Sequence, residues 1–174
     1  MRDYSKVSPQ FWFGETGRAL RRQGKEAQLV ALYLMTCPSA NMLGLYYLPI
    51  FLIAHETGLD MEGASKGLAG CIATGFCRYD EETQMVWVCE MAKFQIAETL
   101  TGGDLRIKGV QNAYDSLPSN PYLAPFFARY ADAFCMSRRR GFSASKPLHV
   151  KPLPKPLASQ EQEQEQEQEH EQDI

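Results

Sequence analysis

Three groups of arginine and lysine dominate the chemistry this sequence offers: Arg18, Arg21 and Arg22; Arg106 and Lys108; and Arg138, Arg139 and Arg140, trailed by Lys146, Lys151 and Lys155. A guanidinium binds phosphate through charge-assisted hydrogen bonds, and such contacts weaken steeply with salt. The triple arginine and its lysines have the pattern of a flexible basic arm that clamps phosphates beside a folded domain. The first two groups suit phosphate contacts and solvated surface equally. Other chemistries find little support. The five cysteines (Cys37, Cys71, Cys77, Cys89, Cys135) contain no CxxC pair, and His55, His149 and His170 lack metal-ligand spacing. Cys71, Cys77 and Cys89 read as small buried hydrophobes. No GxSxG, P-loop or GxGxxG motif occurs, and the turn at 101–104 has no lysine to make it a phosphate cradle. Adjacent carboxylates occur only at Asp80, Glu81 and Glu82, where water should keep their pKa values near reference. The expectation is a non-enzyme without cofactor or metal.

Net charge hides an asymmetry. The chain carries 18 basic and 21 acidic residues, and seven of the acids lie in the final Glu-Gln repeat from Glu161 to Asp173. Without them the remainder is +4, a balance that permits nucleic-acid binding. The repeat has no apolar face and is expected to be disordered. It reads either as an acidic mimic competing with DNA for the basic arm or as a slippage product of small consequence. No apolar run opens the chain and no 18-residue apolar stretch could span a bilayer, so a cytoplasmic protein with reduced thiols is expected.

The elements that must position these residues follow from periodicity. Residues 8–13 (SPQFWF) suggest an extended segment, followed by a polar basic stretch at 18–23. Ala27, Val30, Ala31 and Leu34 predict a central helix over 25–36. Residues 41–48 suggest a short strand, and Pro49 opens a helix that Gly58 closes. Asp60 can cap a helix over 61–74 with Ala64, Leu68, Cys71 and Ile72 inward, and Gly75 can stop it. Residues 75–79 and 85–89 predict a hairpin across a five-residue loop, with Tyr79 facing Trp87 and Cys77 facing Cys89. Two further helices are marked by Ile107, Val110, Tyr114 and Leu117, and by Leu123, Phe127, Tyr130 and Phe134. The domain is expected to end near Met136, with a Lys/Pro linker and the repeat filling 137–174.

Helix, short strand, helix, helix and hairpin is the order of a winged helix-turn-helix. The expected fold class is thus α+β, mainly helical: a winged helix-turn-helix with extra C-terminal helices and a disordered tail. In that frame Ser65 and Lys66 join Glu62, Ala69 and Thr74 on the outer face of the third helix, and Arg78 lies on the wing. Base readout favours Arg, Asn or Gln, which that helix lacks. Its Gly63, Gly67 and Gly70 suggest close approach, either to phosphates or to the first helix. The acidic wing tip opposes entry into a groove, whereas a Tyr79/Trp87 pair could stack on unpaired bases or belong to the core.

Four runs also carry a resemblance: YSKVSPQFW at 4–12, LVALYLMT at 29–36, NMLGLYYLP at 41–49 and GFCRYDEETQMVWV at 75–88. Together they resemble the N-terminal winged-helix domain of phage and prophage replication-initiation and replisome-organiser proteins, a loosely DnaD-like group, over residues 3–120. The resemblance implies binding of double- or single-stranded DNA, with a replicative helicase or helicase loader as further partner and an oligomer allowed. Unlike longer members of that group, this chain is expected to have no second folded domain after Met136. A protein–protein adaptor and a phage transcriptional regulator are the alternatives.

Overall fold

A Ser-Pro start decides the first element. In the computed structural model, which describes residues 4–141, Ser8 Oγ accepts the Gln10 N–H and Pro9 sits at φ −52°, so residues expected to be extended turn into the short helix α1 (Gln10–Phe13). The basic stretch is helical too, as α2 (Glu15–Gln23), which buries Gly17 and Leu20. Gly24, at φ +118°, separates it from α3 (Lys25–Thr36). There Ala27, Val30, Ala31 and Leu34 are all buried, as their spacing predicts.

The expected strand at 41–48 shortens to β1 (Leu45–Tyr47), because Asn41 folds the preceding residues into a turn. Its side chain accepts the Leu43 N–H and donates to the Leu45 carbonyl. Helix α4 (Ile50–Thr57) follows Pro49 and ends on left-handed Gly58. Helix α5 (Met61–Ala73) begins where Asp60 Oδ1 accepts the Gly63 N–H at 2.7 Å. It ends in a Schellman turn, with the Gly75 and Phe76 N–H groups donating to the Ile72 and Cys71 carbonyls. Asp60→Ala is expected to cost about 1 kcal/mol, read as a lower urea midpoint at unchanged m-value.

Helix α5 packs closely against α3 at two glycines. A Cβ on Gly67 would lie 2.6 Å from Val30 Cγ2, and one on Gly70 would lie 2.8 Å from Ala27 Cβ. These glycines therefore serve helix packing. The inner stripe runs Ala64, Gly67, Leu68, Gly70 and Cys71, which leaves Ile72 exposed instead of inward.

Strands β2 (Cys77–Asp80) and β3 (Met85–Val88) join β1 in an antiparallel sheet of order β1-β3-β2. The register differs by one residue from expectation: Cys77 pairs with Val88, Arg78 with Trp87 and Tyr79 with Val86. The cause is local. Asp80 Oδ2 accepts from both the Thr83 N–H and hydroxyl, and Gln84 takes a left-handed φ of +52°. This closes a four-residue loop, 81–84, with Asp80 paired to Met85. With a side-chain period of two, a one-residue slip puts Tyr79 and Trp87 on opposite faces.

Each sheet face has its own core. Tyr46, Val86, Val88 and Cys77 meet the buried residues of α2 to α5. Leu45, Met85 and Trp87 face α7 (Arg106–Asp115) and α8 (Leu123–Tyr130), where Val110, Tyr114, Leu123, Phe126 and Phe134 are buried. Every residue of β3 is consequently buried, and the hairpin has no free broad face. A one-turn helix not expected from the sequence, α6 (Met91–Gln95), links the layers. The described residues form an α+β fold, about half helical with one small antiparallel sheet. Phe127 is only partly buried, its expected inward place being taken by Phe126. No described helix is long and apolar enough to cross a membrane. Lys146, Lys151, Lys155 and the Glu-Gln repeat lie outside the described residues.

Candidate nucleic-acid interface

The described residues hold 14 Lys and Arg against 13 Asp and Glu, so any affinity for phosphate must come from how charge is arranged. Many of the expected contacts are already engaged within the fold. Arg106 forks onto Asp104 through Nε and Nη2, at 3.1 and 2.8 Å, and its Nη1 donates to the Ile96 carbonyl. That pairing holds the Asp104 carboxyl below the usual carboxylate range, and Lys93 does the same for Glu98. A cleft of 370 Å³ between Lys6, α6 and α7 therefore gains little cationic character from Arg106. Lys108 is exposed on α7, with no partner among the described residues.

The triple arginine is docked along α7 as far as the described residues extend. Gln111 is the anchor: its Oε1 accepts the Ser137 and Arg138 N–H groups, and its Nε2 donates to the Arg138 carbonyl. Arg138 pairs with Asp115. Arg140 Nη1 donates to the Tyr114 and Leu117 carbonyls at 3.1 and 2.6 Å, which satisfies the end of α7. The Tyr114 hydroxyl accepts the Arg140 N–H while donating to the Leu123 carbonyl. Of the three, Arg139 alone has no partner among the described residues. The expected flexible arm is, at Arg138 and Arg140, a structural strap. Nothing in the sequence reveals this, because each partner is more than twenty residues away.

Helix α5 and the hairpin are similarly occupied. Ser65 bonds back to the Met61 carbonyl, and Lys66 lies 3.8 Å from Glu26. Arg78 stacks over the Trp87 ring at 5.3 Å, and Trp87 itself is buried against Tyr122 and Phe126. Tyr79 and Trp87 do not face each other as expected; Trp87 lies in one core and Tyr79 packs, partly buried, against the other, which is the core alternative for each ring separately.

What remains is α2. Arg21 and Arg22 are exposed with no partner among the described residues, and Arg18 uses only Nε, on the Phe13 carbonyl. Lys25, just past Gly24, continues the group unpaired and was not singled out from sequence. Its signal was the four-residue spacing from Arg21, interrupted by the Gly24 break. Glu15 is the one acid on α2.

Titration adds no acid–base pair to this picture. Burial pushes the Cys37 and Cys89 thiols up, together with the Tyr46, Tyr79 and Tyr130 hydroxyls, and Tyr122 to about 12; the Cys77 thiol is raised first by its hydrogen bond with Cys71 and then by burial. Each shift moves its group further from neutrality. Among the described residues, no three or more His, Cys, Asp or Glu are grouped to hold a metal ion. Against known proteins, no family model, curated protein or solved structure matches the chain.

Proposed function

We propose that this chain is a winged-helix DNA-binding protein that acts in phage or prophage DNA replication and holds DNA mainly through phosphates. The observation that carries the binding is the gathering of exposed cations on one short stretch: Arg21, Arg22 and Lys25 have no partner among the described residues and Arg18 is engaged through Nε alone, while most other described cations are tied to acids, carbonyls or a ring. The winged-helix reading is supported by the order α3, β1, α4, α5, β2, β3 and by the strand order β1-β3-β2. The replication role rests on the resemblance of the four sequence runs. A gel shift with the full chain at low salt is expected to retard DNA, and an origin rather than a promoter should be protected in footprinting. Free migration of every probe at low salt would sink the reading.

A second reading, as adaptor to a helicase or loader, is favoured by one surface. The outer face of α5 presents exposed Met61, Ala69 and Ile72 beside Glu62, and the loop tip adds Glu81 and Glu82. Such a face suits a protein better than a phosphate backbone. Failed gel shifts together with recovery of helicase or loader by the nuclease-treated protein would select it.

A further inference from the structure

Two aromatic side chains stand next to the arginines of α2. Trp12 is 53 % exposed and Phe13 is 59 % exposed, whereas Trp87, Tyr114, Phe126 and Phe134 are almost fully buried. They are the outward aromatic residues of α1, while the neighbouring Phe11 turns inward against the first core. The Phe11 and Trp12 rings meet edge to face at 4.9 Å, which fixes the indole's orientation. The corner itself is tight. The Phe11 carbonyl would lie 1.8 Å from a Cβ on Gly17, and the Gln10 carbonyl 2.7 Å from one on Gly14. Arg18 Nε donates to the Phe13 carbonyl at 2.8 Å, tying the first cation of α2 to the aromatic corner and leaving its Nη groups unused.

We propose that the α1–α2 corner is a stacking site for unpaired bases, with Trp12 and Phe13 taking base faces while Arg18, Arg21 and Arg22 hold the phosphates. This deepens the DNA-binding reading and rests on it. An exposed π face beside a row of cations complements a ligand with flat rings on an anionic backbone. A duplex keeps its base faces in the stack, so these rings reward single-stranded nucleic acid. Tyr79 and Trp87 of the hairpin are taken up by the two cores, whereas the corner offers exposed rings.

Tryptophan fluorescence tests this, because Trp87 is buried and Trp12 is the exposed reporter. Titration of the full chain with oligo-dT should quench Trp12, and a blunt hairpin duplex of equal charge should quench it less. The Trp12→Leu/Phe13→Leu double variant removes the Phe11–Trp12 edge contact but no fully buried side chain, so it should stay folded and lower the thermal midpoint by only a few degrees. It should weaken oligo-dT binding by roughly 5- to 100-fold per lost stack, with duplex binding changed less than two-fold. Phe13→Tyr should retain affinity. If the double variant binds oligo-dT as tightly as the parent, the stacking site is wrong although DNA binding stands. If the parent binds neither probe, both readings fall. Quenching by phosphatidylserine vesicles without any by oligo-dT would overturn the site in favour of a membrane surface.

Discussion

Gly67→Val should cost about 3 kcal/mol, the upper part of the range for overpacked cores, and Gly67→Ala should already be destabilising. The new Cβ would enter space held by Val30 Cγ2 at 2.6 Å and the Glu26 carbonyl at 2.7 Å. Neither neighbour is the loose end of a long side chain: Val30 is fully buried and the carbonyl belongs to the α3 backbone. Alanine gains roughly 1 kcal/mol over glycine in a helix interior, and valine less. That gain does not offset separating α3 from α5. Gly109 is the internal control. It lies inside α7 with open space around its Cβ direction, so Gly109→Ala should stabilise by up to about 1 kcal/mol. Urea midpoints at constant m-value read both signs. Equal effects at the two positions would contradict the packing account.

The second large effect concerns binding. Arg21→Ala/Arg22→Ala removes two exposed guanidiniums that have no partner among the described residues. Two lost phosphate contacts should make the salt dependence less steep by roughly 1.5 in log–log slope, with about a ten-fold or greater loss of affinity at low salt. Arg140→Ala is the informative counterpart. Its guanidinium serves the Tyr114 and Leu117 carbonyls, so its loss should lower stability by about 1–2 kcal/mol and leave the slope unchanged. A reversed pattern, with slope tracking Arg140 and stability tracking Arg21, would return the basic arm to the role its sequence suggests.

The contrast between these arginines shows what could be read from sequence and what could not. Local signals were legible. The spacing of Ala27, Val30, Ala31 and Leu34, the Asp60 cap and the Gly58 and Gly75 stops each act within a few residues, and each appears as expected. Signals that depend on distant partners were not. Arg138 meets Asp115, Lys66 meets Glu26 and Arg106 meets the Ile96 carbonyl, pairings set by packing rather than by spacing. The hairpin was legible as a pair of strands but not in register, because Asp80 closes a four-residue loop and so shifts the pairing by one residue. That slip separates Tyr79 from Trp87. At α1 a local signal was available and outweighed: aromatic β-propensity suggested extension, whereas Ser8 and Pro9 start a helix.

Fluorescence anisotropy of a labelled single-stranded oligonucleotide, titrated with the full chain across a salt series, tests the phosphate-binding claim most directly. With Arg18, Arg21, Arg22 and Lys25 as the contacts, log K should fall linearly with log salt at a slope of roughly −3, and the Arg21→Ala/Arg22→Ala chain should show about half of it. No binding at low salt, or binding that neither salt nor these substitutions change, would contradict it.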